Sequence, residues 1–171
     1  VYGVQASGAP SMVQSLDHGK IECLDKVDTI ADGIKVKEPG VNTFEFCQKY
    51  VDEIVTVTDD EISSAILALI EQHKLISEGA GAVSVAAAMF NKVPVKGKKV
   101  ICLVSGGNID VTILSRVIKR GLLKSGRSDS INLELIDKPG QLRDVSKIIA
   151  DLGGNVIAIH HERASENSDI N

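Results

Sequence analysis

The chain has 171 residues, 43% of them apolar and 25% charged, with a net charge of −4. That is an ordinary globular composition, which argues against a disordered tail or a fibrous protein. With no basic excess and no Arg/Lys cluster interleaved with aromatics, nucleic acid is an unexpected partner. No basic-then-apolar leader opens the chain and no run approaches the roughly 18 apolar residues that span a bilayer, so neither a signal peptide nor a membrane partner is expected.

Val1 to Gln5 reads as a short buried strand, and Ser11 to His18, closed by Gly19, as a brief helix with a Gly C-cap. Ile21 to Gly40 is broken by Asp, Gly and Pro and reads mostly as loop. Asn42 or Thr43 is placed to cap a helix carrying Phe44, Phe46 and Cys47, and Glu53 to Val57 has the β-branched content of a buried strand. Thr58 caps the next helix with Glu61 three residues on as a capping box, and Ile62, Ala65, Ile66, Leu69 and Ile70 form its apolar stripe.

Glu78 to Ala82 opens a second helix whose small side chains allow close approach to other backbone, so it is expected to be central. Val100 to Val104 reads as a continuous apolar strand of a parallel sheet, ending at Ser105-Gly106-Gly107-Asn108 before a helix from about Asp110 to Lys124. A strand, small-residue turn and helix in that order place the turn at the carboxyl edge of an open α/β sheet, where such folds bind ligands. Gly126 to Ser130 is a polar linker, and a domain boundary is expected there, with 1–126 as one domain and 127–171 as the next.

The second domain restarts with a strand, Ile131 to Ile136, a turn, Asp137-Lys138-Pro139-Gly140, a helix with Leu142, Val145, Ile148 and Ile149, and a strand, Asn155 to His161. Ala164 to Asn171 is a polar tail that stops where a hairpin turn should lead into another strand. Val1 in place of an initiator Met is read as the start of a segment inside a longer chain. Cys23, Cys47 and Cys102 are odd in number and far apart, without metal-ligand spacing, and are read as reduced thiols in a cytoplasmic protein.

On the residues alone, Ser105-Gly106-Gly107-Asn108 is either a phosphate-binding nest or a structural tight turn. Ser105 is not inside a GxSxG elbow, so a hydrolase nucleophile is disfavoured. Glu78 is either a site carboxylate or a helix-start acid favoured by the macrodipole.

Four ordered segments, Thr29-Ile30-Ala31-Asp32-Gly33, Asp52 to Val57, Glu78-Gly79-Ala80-Gly81-Ala82 and Ser105-Gly106-Gly107-Asn108-Ile109-Asp110, resemble the fold-type II pyridoxal-phosphate enzymes, most closely the threonine dehydratases. The resemblance runs from residue 1 to about 124 and implies part of an open parallel α/β sheet with helices, like that of tryptophan synthase β. It also implies pyridoxal 5′-phosphate as cofactor, with Ser105 hydrogen-bonded to the pyridine nitrogen and Gly33, Glu78 and Gly106 beside the ring. Some relatives bind a cation at the turn after the first strand; the matching positions here are Gln5, Ala9 and Ser11, which include no carboxylate, so no metal is expected. The family's Schiff-base lysine in its Ser-aromatic-Lys context, and its run of phosphate-cradling glycines, are absent from these residues. The chain by itself is therefore expected to be inactive.

Residues 130–163 resemble an ACT domain through Asp137-Lys138-Pro139-Gly140-Gln141-Leu142 and Gly153-Gly154-Asn155, although a D-K-P-G turn can start a helix in any protein. That resemblance implies half of a ferredoxin-like βαββαβ fold, pairing with another chain in a homo-oligomer, and an amino-acid effector touching Asp137, Gly140, Leu142 and Asn155. Asp137 is also placed to cap the helix. Together these features imply threonine dehydration to 2-oxobutanoate and ammonia in the whole protein. The alternatives are a serine dehydratase or serine racemase, and a non-catalytic amino-acid-binding regulatory module.

Overall fold

A computed structural model of the protein describes residues 1–162; the expected polar tail from Ala164 onward lies outside them. The chain divides into two compact units, Val1–Asp129 and Ser130–Asn171.

In the first unit, β1 (Tyr2–Ala6) and β2 (Glu53–Val57) pair in parallel, with Gly3 opposite Ile54 and Ala6 opposite Val57. Parallel neighbours need a crossover, and here it contains α1 (Ser11–His18), a long loop with one 3₁₀ turn (Asp32–Ile34), and α2 (Val41–Tyr50). Pro10 stands at the N-cap of α1 and offers no side-chain acceptor. Gln5 supplies it: its Oε1 accepts from the backbone N–H groups of Met12 and Val13, both at 3.0 Å. Gly19 closes α1, as its sequence implies. α2 begins at Val41, earlier than a cap at Asn42 or Thr43 would place it; Gly40 is the N-cap, and the Thr43 hydroxyl donates to the Gly40 carbonyl at 2.7 Å. The break at Pro39-Gly40 starts the helix without a side-chain cap.

α3 (Asp59–Ala68) carries the expected capping box, with Glu61 N–H donating to Thr58 Oγ1 at 3.2 Å and Thr58 N–H to Glu61 Oε2 at 2.8 Å. One π-helical turn, Leu69–His73, follows, and then α4 (Gly79–Met89) and α5 (Val111–Lys124). The fully buried Val57, Ile62, Ala65, Ile66, Ala82 and Ala86 form a core between the two strands, α3 and α4. α5 closes on α3 because Gly121 has no side chain; a Cβ there would lie 3.2 Å from the Ser63 carbonyl oxygen and 3.1 Å from Leu67 Cδ2. Arg127 fixes the end of this unit to the π turn by pairing with both oxygens of Glu71, at 2.6 and 2.8 Å.

Val100 to Val104 does not form the expected strand: among the described residues the sheet holds only β1 and β2. The segment runs beside α4, with Ser84 Oγ donating to the Leu103 carbonyl at 2.7 Å, and Ile101 is 97% exposed. An apolar run signals burial, but a strand also needs a neighbour for its N–H and C=O groups.

The second unit contains α6 (Gln141–Asp151). Among the described residues, Ile131 to Ile136 and Asn155 to His161 form no ladder, so neither expected strand is present there. Gly140, at a left-handed φ of 95°, occupies the N-cap position of α6, three residues after Asp137. Gly153 and Gly154 end it, their N–H groups donating to the carbonyls of Ala150 and Ile149.

Ile66 is fully enclosed, so Ile66→Ala should lower unfolding free energy by about 2–5 kcal/mol in chemical denaturation; a loss well under 1 kcal/mol would show that this core does not bear on stability. Burial opposes the charged form of Glu61, but Lys92 at 2.9 Å and the Thr58 N–H outweigh it and hold the carboxyl below its ordinary value of 4.5. A depressed folded-state pKa contributes stability that is complete above the unfolded value and is lost as pH falls through the folded one. The stability gap between the protein and E61Q should therefore shrink below about pH 4.5; a gap that stays constant down to the acid transition would contradict the pairing.

Candidate active site at the start of α4

Three segments far apart in sequence meet where α4 begins. The Glu78 N–H donates to the Gly106 carbonyl at 2.9 Å, which brings the 105–110 turn against the helix start. The buried Ser77 hydroxyl bridges the carbonyls of Ser105, at 3.2 Å, and Glu78, at 3.1 Å. The first turn of α4 leaves no room for side chains: a Cβ on Gly81 would lie 1.4 Å from the Ser105 carbonyl oxygen, and one on Gly79 would lie 2.9 Å from Ala31 Cα. Two glycines thus let α4 touch the Ser105 turn on one side and the Thr29–Gly33 loop on the other.

Between those two segments stands the half-buried Glu78 carboxylate. A Cβ on Gly33 would meet Glu78 Oε1 at 3.4 Å and Ala80 Cβ at 3.0 Å. On Gly106, whose φ of 67° already disfavours a side chain, a Cβ would meet Glu78 Cδ at 2.3 Å. The result is an open cleft lined by Ile30, Asp32, Gly33, Glu78, Ala80 and Asn108, among others. Ser105 is exposed beside Gly106. The structure therefore brings together Gly33, Glu78 and Gly106, with Ser105 adjoining them.

The loop wall is pinned from below. Thr29 Oγ1 donates to Asp59 Oδ1 at 2.6 Å and accepts from the Ala31 N–H at 3.1 Å, while Asp59 Oδ2 accepts from the Ile30 N–H at 3.3 Å. On the opposite wall Asp110 caps α5, accepting from the Thr112 hydroxyl and from the N–H groups of Thr112 and Ile113. The Thr112 hydroxyl leads these bonds in holding the Asp110 carboxyl below the usual carboxylate range. Ser77 and Asp59 stand outside every sequence motif of the site, and Thr29 enters only as the first residue of the Thr29–Gly33 segment. The glycines of Gly79-Ala80-Gly81, as small residues that admit backbone, signal the close packing that Ser77 serves.

Gln5, Ala9 and Ser11 build the α1 start, with Gln5 Oε1 already engaged by two N–H groups. Among the described residues no group of three His, Cys, Asp or Glu side chains is placed to hold a metal ion. In the second unit, Gly140 and Leu142 flank the start of α6, with the exposed Asp137 three positions before Gly140, whereas Asn155 follows the other end of the helix. An 11-residue helix is roughly 16 Å long. No described helix is long and apolar enough to cross a membrane.

Residues 1–106 match the family model described as pyridoxal-phosphate dependent enzyme. The L-threonine ammonia-lyase of Thermotoga maritima is 50% identical over 170 residues, covering 99% of this chain and 42% of that protein. The processed form of threonine deaminase isoform 2 from Solanum lycopersicum superposes with a TM-score of 0.64 at 37% identity, over 70% of this chain and 35% of that one. Maize serine racemase superposes with a TM-score of 0.60 at 31% identity, over 70% of this chain and 39% of that one. The chain thus spans less than half the length of each of these relatives.

The contact at Gly81 sets a sharp expectation. G81A forces apart two backbones that have no slack and should cost about 1–3 kcal/mol, read as a lower midpoint in denaturant; an unchanged midpoint would mean that the Ser105 turn does not pack on α4 as described.

Proposed function

This chain belongs to the pyridoxal-phosphate dependent enzyme family, and from that premise we propose that the whole protein is an L-threonine ammonia-lyase, converting threonine to 2-oxobutanoate and ammonia. The observation that carries the proposal is the convergence of Gly33 and Gly106 on the Glu78 carboxylate, next to Ser105. The similarity to the Thermotoga maritima lyase across nearly the whole chain supports the choice of substrate.

The residues fit the cofactor. Gly33 leaves bare backbone on the cleft, against which a flat ring can lie, and Gly106 leaves the room that the Glu78 side chain takes up beside it. Ser105 is assigned to the pyridine nitrogen, with Gly33, Glu78 and Gly106 beside the ring. When bound, the cofactor supplies a conjugated ring that takes up the electron pair released at the substrate α-carbon. Ser105 presents a neutral hydroxyl there, so it shares a hydrogen bond without stabilising a full positive charge on the ring nitrogen, as a carboxylate would. That weaker pull favours prompt loss of a β-hydroxyl over transfer chemistry. The fully buried Ser77 hydroxyl donates to the Ser105 carbonyl, out of competition with solvent, and so holds the Ser105 backbone. None of the lysines here stands in the family's Ser-aromatic-Lys context, and the covalent anchor is assigned to a part of the whole protein outside these residues.

The second unit is assigned to an ACT-type regulatory domain within a cytoplasmic homo-oligomer, with an amino-acid effector at Asp137, Gly140, Leu142 and Asn155. Its support is the resemblance carried by Asp137-Lys138-Pro139-Gly140-Gln141-Leu142 and Gly153-Gly154-Asn155. A serine-directed reaction draws support from the likeness to maize serine racemase, and the assay separates the two readings.

The whole protein should form 2-oxobutanoate from threonine with a higher kcat/KM than it shows on serine. S105A should lower that value by about tenfold, the effect of one lost hydrogen bond. Faster turnover of serine would transfer the assignment to the serine enzymes, and amino-acid binding without any turnover would favour the regulatory module.

A further inference from the structure

We propose that Thr29 and Asp59 are positioning residues for the cofactor wall, a latch that holds the Ile30–Gly33 loop in its binding geometry before any ligand arrives. This inference rests on the functional reading above, in which Gly33 adjoins the ring. Neither residue lines the cleft, whereas Ile30, Asp32 and Gly33 do.

The latch has three bonds over three consecutive residues. Asp59 takes the Thr29 hydroxyl at 2.6 Å and the Ile30 N–H at 3.3 Å, and the Thr29 oxygen takes the Ala31 N–H at 3.1 Å. Thr29 is only 5% exposed, so water competes poorly for its hydroxyl, and a charge-assisted bond of this kind outranks a neutral one. Asp59 is a firm anchor because it is the first residue of α3, whose start is fixed by the Thr58–Glu61 box and whose Ile62, Ser63 and Ile66 are fully buried. The positive end of that helix also favours a carboxylate at this place.

From the latch the constraint passes directly to the cleft. Ala31 is held by its N–H on Thr29, and its carbonyl accepts from Ile34 N–H at 3.0 Å to close the 3₁₀ turn that contains Gly33. On the other face Gly79 lies so close to Ala31 that a Cβ would come within 2.9 Å of its Cα. The loop is therefore clamped between the starts of α3 and α4. Loosening the α3 side would let Gly33 wander and charge the ordering cost to binding.

The test uses the whole protein, with T29V, T29S and D59N, and reads two quantities: the Kd for pyridoxal phosphate and hydrogen exchange at the Ile30 and Ala31 amides in cofactor-free protein. T29V keeps the shape but removes the hydroxyl; it should raise Kd about tenfold and speed exchange at both amides by a similar factor. T29S keeps the hydroxyl and should stay within about twofold of the parent. D59N leaves one acceptor and turns a donor toward another donor, so it should weaken binding, and T29V/D59N should be less damaging than the product of the two single effects. Unchanged Kd and exchange in T29V, or single effects that multiply independently, would overturn the latch while leaving the functional reading intact. A parent protein that takes up no pyridoxal phosphate would overturn both.

Discussion

At Gly81 a single added carbon would lie 1.4 Å from the carbonyl oxygen of Ser105, and the site is assembled around that absence. Because α4 starts with side chains missing at Gly79 and Gly81, it can lie against two backbones at once. One is the Ser105 turn, held by the Glu78 N–H and the Ser77 hydroxyl; the other is the loop that ends in Gly33. Glu78 stands where the three segments meet, and its carboxylate occupies the space that a Cβ on Gly106 would need. Bulk is excluded by omission, and the cleft is what remains. Backbone packed this closely cannot adjust by small shifts, which is why a methyl group in the first turn of α4 bears on the position of a hydroxyl in another segment.

Local devices were legible in the sequence. Thr58 and Glu61 form their box, and Gly19 closes α1. Glu53 to Val57 is a strand, and Gly79 to Met89 is a small-residue helix in the core. Each is decided by residues within a few positions of one another. Val100 to Val104, Ile131 to Ile136 and Asn155 to His161 have the same apolar character and form no ladder among the described residues, because a strand is completed by a partner that its own residues do not name. The N-cap positions of α2 and α6 fell to glycines at breaks in the chain.

Ser105, Gly33, Glu78 and Gly106 were reached through ordered motifs, and the structure brings Glu78 against both glycines. What holds them was not legible. Asp59 reads as an ordinary acid in the first turn of a helix, yet its partner is 30 positions away, and Ser77 finds the Ser105 carbonyl across 28. Composition and periodicity do not report such pairs. Gln5 makes the same point at the first strand, where a position with no carboxylate is used to finish a helix that Pro10 leaves uncapped.

The most direct test of the account is a crystal structure of the whole protein with pyridoxal phosphate bound. The expected result places the pyridine nitrogen within hydrogen-bond reach of Ser105 Oγ, about 2.6–3.0 Å, with Gly33 and Glu78 against the ring. A ring seated away from the start of α4, or a nitrogen held by a residue other than Ser105, would contradict it.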